Sequence, residues 1–187
     1  MRTVSITWDQ DAGRFTALGT HPGQQISINA PRSESEARGP TGFSATELLL
    51  AAAGSCSAWD VVEILRKRRA SVHSLEVSVD GDQAPDPPWA YTRVGIHYRI
   101  QCERLTFPVI ARVIRLSIVR YCSVINTIAA AALIEATVEV VAMDGTTTGR
   151  KHIELALPSE PGGESGFTES DLAAVGVPEP VVDEDEE

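Results

Sequence analysis

The stretch Ser44–Arg69, SATELLLAAAGSCSAWDVVEILRKRR, decides how this chain folds. It opens as Ser44-x-x-Glu47, a capping box in which the hydroxyl and the carboxylate each accept from N–H groups left orphaned at a helix start. It closes on Arg66-Lys67-Arg68-Arg69, cations suited to the negative end of a helix dipole. Between them Leu48–Ala53 has no polar face, and Val61, Val62, Ile64 and Leu65 continue the helix as an amphipathic one. A helix of about 25 residues, apolar all round in its first half, needs burial on every side there. A chain of 187 residues meets that need by wrapping a sheet round the helix and sharing it with a second subunit. The small residues Ala51 to Ser55, with Ser57 and Ala58, permit close backbone approach.

Outward from this helix the pattern changes period. Thr3–Trp8, Arg14–Leu18 and Gln24–Asn29 alternate as strands and read as a meander opening the sheet, with a polar, turn-rich loop over Pro31–Gly42. After the helix, Val72–Val79 reads as a strand, Asp80–Pro88 as a loop and Tyr91–Cys102 as a long strand. A second helix starts at Thr106-Phe107-Pro108, with proline tolerated in the first turn, and breaks at Tyr121-Cys122-Ser123. Val124–Ala132 resumes it, Leu133–Ala142 is a strand and Gly149–Leu157 one more. The class is α+β.

The formal charge of −10 belongs to one end. Ten acidic residues and no Lys or Arg lie between Ala156 and Glu187, leaving 16 acids against 16 bases in the rest. We therefore expect a domain over residues 1–157 and an acidic, Pro- and Gly-containing tail over 158–187, disordered or loosely docked. No basic stripe with interleaved aromatics exists, which argues against nucleic acid. No apolar run reaches the ~18–20 residues of a membrane span, and no leader-like segment follows Met1. The expectation is a cytoplasmic protein without a membrane partner.

Chemistry rests on the cysteines. None of Cys56, Cys102 and Cys122 forms a C-x-x-C pair. By position alone Cys56 reads as a small core residue among Ala, Gly and Ser. Cys122 lies at a junction ahead of a helix N-terminus, where Ser123 is a candidate cap and the dipole is expected to lower a thiol pKa. Cys102 ends a strand and reads as a near-surface, incidental thiol. His21, His73, His97 and His152 are scattered without ligand spacing, so neither a metal nor another cofactor is expected.

Two segments together, Gly39–Arg68 (GPTGFSATELLLAAAGSCSAWDVVEILRKR) and Arg120–Ile128 (RYCSVINTI), resemble the OsmC/Ohr family, in its OsmC-like branch. The order of strands and helices from Thr3 to Ala142 is similar as well. The resemblance implies an intertwined homodimer, with curved antiparallel sheets wrapped around long central helices. It further implies a thiol-dependent peroxidase acting on organic hydroperoxides in oxidative-stress defence, with Cys56 as the peroxidatic and Cys122 as the resolving cysteine, reset by a thiol reductant. Members of the family place a Glu ten residues before the reactive cysteine, held with an Arg. Here that position is Thr46, and Glu47 is displaced by one residue, a rotation of roughly 100° on a helix. Arg38, just before Gly39-Pro40, is the favoured cation by motif context, with Arg14 second. The other reading is a dimer without turnover that binds a small apolar ligand or senses oxidation.

Overall fold

A computed structural model describes residues 2–29 except 12 and 22, residues 42–155 except 104, and residue 157. The chain divides after Ala51 into two compact units. The first carries a four-stranded sheet ordered β1 (Ser5–Asp9), β2 (Arg14–Leu18), β3 (Gln25–Asn29) and β4 (Phe43–Ser44). Its first three strands form the expected antiparallel meander. The two-residue β4, absent from the sequence reading, adds in parallel beside β3, and Asn29 donates to the Gly42 carbonyl at 3.2 Å. Helix α1 (Ala45–Lys67) begins in this unit and continues into the second.

The second unit holds another four-stranded sheet, ordered β5 (Val72–Gln83), β6 (Tyr91–Cys102), β7 (Leu133–Val141) and β8 (Thr147–Ile153). Strands β6 and β7 run parallel, and the other pairs are antiparallel. A parallel pair needs a long crossover. Here it is α2 (Phe107–Leu116), a single wide π turn (Ser117–Tyr121) and α3 (Ser123–Ile128). The α+β architecture is as the sequence predicts, with one parallel pair in each otherwise antiparallel sheet.

Alternation fixes which face of this sheet is the core. Val94, Ile96, Tyr98, Ile100 and Cys102 of β6, with Ile134, Ala136, Val138 and Val140 of β7, are buried. They enclose the core with Ile110, Val113, Ile114 and Leu116 of α2. Cys102 was expected near the surface; it lies inside, because its even-numbered register puts it on the core face, and burial raises its thiol pKa. The opposite face is a ladder of charge. Arg93 reaches Asp80 at 2.5 Å, Asp82 at 2.7 Å and Glu135 at 3.2 Å, and His97 reaches Asp80 at 2.5 Å. These contacts carry β5 through Gln83, where turn-forming Asp80-Gly81-Asp82 reads as loop.

Helix α1 turns Ala53, Gly54, Ser57, Val61, Ile64 and Leu65 inward. At Gly54 the helix packs closely on β5, since a Cβ built there would meet Val79 Cγ2 at 2.7 Å. The expected burial on all sides is not met within one chain: Leu49 is 40% and Trp59 70% exposed. Contrary to the sequence expectation, α1 is long and apolar enough by length and composition to cross a membrane, because its few polar residues are spread along it; one third of that stretch is buried in the fold.

Candidate functional site

Two elements bring the two cysteines together. Cys56 sits on α1, half-buried, one residue before the inward-facing Ser57. Cys122 sits fully buried at the crossover's break, with extended backbone at φ −70° and ψ 98°. The break arises because the π turn ends with the Cys122 N–H donating to the Ser117 carbonyl at 2.8 Å. Asn126 then holds the turn, its side-chain amide donating to the carbonyls of Ile118 (3.0 Å) and Cys122 (2.9 Å). Cys122 itself caps α3, its Sγ accepting from the Ile125 N–H at 3.5 Å; Ser123, the expected cap, is the first helical residue.

Across this junction Cys122 and Cys56 are near enough to act on each other's charge, and both are free thiols. The Cys122 thiol pKa is pushed up to about 12, first by burial. The Ile125 N–H opposes that rise, while Cys56 and Asp60 add to it. A lowered pKa was expected for Cys122. One N–H at the start of a six-residue helix does not offset the removal of the thiol from water. Cys122 therefore holds its proton more tightly than an ordinary thiol.

Beside the thiols lies a buried polar cluster that the sequence reading missed. The Tyr98 hydroxyl contacts Ser57 Oγ, Ser57 Oγ lies 3.0 Å from Ser117 Oγ, and Ser117 Oγ donates to the Ser57 carbonyl at 3.0 Å and toward Asp60 Oδ2 at 3.3 Å. Donor counting orients it. The single Ser117 proton goes to an acceptor-only group, so Ser57 must donate to Ser117, and Tyr98 must then donate to Ser57. The chain runs Tyr98 to Ser57 to Ser117 and ends on an acceptor. Burial raises the Tyr98 pKa well above the usual phenol value, with Ser57 opposing and Cys122, Asp60 and Cys56 adding. Burial also raises the Asp60 carboxyl pKa, with the Ser117 hydroxyl opposing. A signal existed in the sequence. Ser57 interrupts the inward apolar stripe of α1, Asp60 is one helical turn beyond Cys56, and Tyr98 shares the core-facing alternation of β6.

Glu47 lies in the first unit and completes the capping box as predicted. Its carboxylate accepts the Ser44 N–H at 2.7 Å, and Ser44 Oγ accepts the Glu47 N–H at 3.1 Å. The Ser44 N–H first, and the Ser44 hydroxyl second, hold the Glu47 carboxyl pKa below the usual value. Arg14 Nε is buried with no hydrogen-bond partner among the described residues. Arg38 lies outside the described residues. Among the described residues no group of three or more His, Cys, Asp or Glu side chains is placed to hold a metal ion.

A reachable thiol on a long helix, set against a buried thiol on the crossover, defines a dithiol protein on an α+β scaffold. The chain belongs to the OsmC-like protein family, whose model matches residues 38–137. It is similar to Protein YhfA of Escherichia coli K12, 38% identical over 96 residues that span 51% of this chain and 72% of the relative. Among solved structures it resembles an OsmC-like protein from Mycoplasma pneumoniae, with a TM-score of 0.64 at 17% identity over 75% of this chain and 97% of that one. It also resembles the organic hydroperoxide resistance protein OhrB of Bacillus subtilis, with a TM-score of 0.53 at 11% identity over 74% and 97%. At such identities the two structures speak for the fold.

Proposed function

We propose that the protein is a thiol-dependent peroxidase that reduces organic hydroperoxides through Cys56 and Cys122. The observation that carries this reading is a pair of neighbouring free thiols, one half-buried and one fully buried. Access supports these roles. The half-buried Cys56 meets the peroxide, while Cys122, sealed from solvent, meets only Cys56. The Cys56 thiolate attacks the peroxide oxygen, an alcohol leaves, and Cys56 becomes a sulfenic acid. Cys122 then closes the disulfide with loss of water, and a thiol reductant restores both thiols. Hydroperoxide resistance, named for the Bacillus subtilis neighbour, is consistent with this chemistry.

In this reading Arg38 supplies the cation that supports the Cys56 thiolate. Glu47 keeps the helix start. The exposed Leu49 and Trp59 on α1 belong to a homodimer interface. Residues 1–157 form the catalytic domain and 158–187 an acidic extension dispensable for turnover. The test is Cys56→Ser, which abolishes consumption of cumene hydroperoxide in the presence of dithiothreitol; an unchanged rate overturns the reading. A single round of oxidation in the parent, with no sustained turnover under the same reductant, would instead support a sensor.

A further inference from the structure

We propose that Ser117 is the positioning residue of the thiol pair: it brackets the backbone beside Cys56 to the backbone of Cys122 and so sets how readily the two sulfurs join. The inference rests on the reading that Cys56 and Cys122 pair as a disulfide, and it names what holds them in register.

Two hydrogen bonds from one residue make the bracket. Ser117 Oγ donates to the Ser57 carbonyl on α1 at 3.0 Å, and Ser57 follows Cys56 directly in the chain. The Ser117 carbonyl accepts the Cys122 N–H at 2.8 Å. The path from one cysteine's backbone to the other thus crosses a single residue. It depends on the wide turn. In a regular α-helix the Ser117 carbonyl would receive the N–H of Tyr121, four residues on. The π turn over Ser117–Tyr121 passes that carbonyl to Cys122 instead. Ser57 loses nothing by accepting, because a carbonyl has two lone pairs and one is left for the helix ladder.

The surroundings give both bonds weight. Ser57, Ser117 and Cys122 are fully buried, so water does not replace a bond that is lost. The chain neighbours of Ser117, namely Leu116, Ile118 and Val119, are buried and apolar. A hydroxyl among them costs desolvation that alanine would avoid, and what it supplies in return is a directed link. The other contacts of the cluster orient this hydroxyl. Ser57 Oγ donates to Ser117 Oγ at 3.0 Å, the Tyr98 hydroxyl contacts Ser57 Oγ, and Ser117 Oγ shares its proton more distantly with Asp60 Oδ2 at 3.3 Å.

A residue that only stabilises the fold favours the dithiol and disulfide forms alike, whereas a residue that aligns two thiols shifts the equilibrium between them. The full-length protein is equilibrated with reduced and oxidised glutathione, and peptide mass mapping reads the fraction of Cys56–Cys122 disulfide, with Cys102 counted separately. In that exchange each cysteine sulfur loses one proton and one electron as the S–S bond forms. One oxidised glutathione takes up both and becomes two reduced ones. Ser117→Ala is expected to lower the effective concentration of the pair by roughly fivefold to tenfold, the weight of one buried hydrogen bond. Ser44→Ala removes a hydrogen bond of similar worth at the start of α1, away from the bracket, and should leave the equilibrium at the parent's value. An unchanged equilibrium in Ser117→Ala, or an equal fall in both variants, overturns the inference. Should Ser117→Ala fail to fold, amide exchange in the parent serves. Linkage requires the disulfide to tighten the bracket as much as the bracket favours the disulfide. Oxidation should therefore slow exchange of the Cys122 N–H by a similar factor, and equal rates in the two forms overturn the inference. The two readings fail separately. Inert behaviour toward cumene hydroperoxide with a Ser117-dependent equilibrium removes only the peroxidase, and turnover with an equilibrium indifferent to Ser117 removes only this inference.

Discussion

Replacing Gly54 by alanine asks whether α1 is pressed against β5 as closely as the structure places it. The added Cβ would lie 2.7 Å from Val79 Cγ2 and 3.6 Å from Val77 Cγ1. Carbon atoms prefer about 3.5–4.0 Å, so the helix and strand must part locally by roughly 1 Å. Val79 offers little relief, because a β-branched side chain is stiff at χ1. Overpacking of this kind costs about 1–3 kcal/mol. Alanine's helix preference over glycine returns about 0.8–1.0 kcal/mol. The expected net is a loss of about 1 kcal/mol, a fall in Tm of about 2–4 °C for a chain of this size. Cys56 lies two residues further along and moves with the helix, and a 1 Å misplacement can slow a positioned reaction up to ~10²-fold. Thermal unfolding and the rate of cumene hydroperoxide consumption read the two effects on one preparation. A variant more stable than the parent, turning over at the parent's rate, would show that propensity alone governs this position and that the contact with Val79 is not there.

Other perturbations separate stability from chemistry. Burial raises the Asp60 pKa above 3.8, so the folded state holds that proton to higher pH than the unfolded chain. The associated stability is fully present below 3.8 and is lost as pH rises through the folded value. Urea midpoints from about pH 4 to pH 7 should therefore diverge in favour of Asp60→Asn, and parallel profiles would contradict this assignment. Ser44→Ala removes the hydroxyl half of the capping box and should cost about 1 kcal/mol in chemical denaturation while leaving peroxide consumption unchanged. Glu47→Gln should likewise spare turnover; its abolition in a folded variant would return Glu47 to the chemistry.

The sequence carried the main helix and the order of the longer strands because each has a local signature, whereas the pairing of Cys56 with Cys122 came only from the family resemblance. Ser44-x-x-Glu47 marks its own cap, and the alternation of Tyr91–Cys102 marks its own strand. What it hid depends on neighbours distant in the chain. Asp80-Gly81-Asp82 has turn chemistry, yet Arg93 and His97 across the ladder hold it as strand. The α3 N-terminus suggested an activated Cys122, but only the packed core shows that burial dominates. Ser57, Tyr98 and Ser117 are unremarkable singly, and they become a directed hydrogen-bond chain only when α1, β6 and the crossover meet.

The most direct test of the thiol pair is a peptide mass map under non-reducing conditions after treatment of the full-length protein with equimolar cumene hydroperoxide. A Cys56–Cys122 cross-linked peptide, with Cys102 recovered as a free thiol, is the predicted result. Cys56 found unoxidised, or oxidised to sulfinic acid with Cys122 still a thiol, would contradict it.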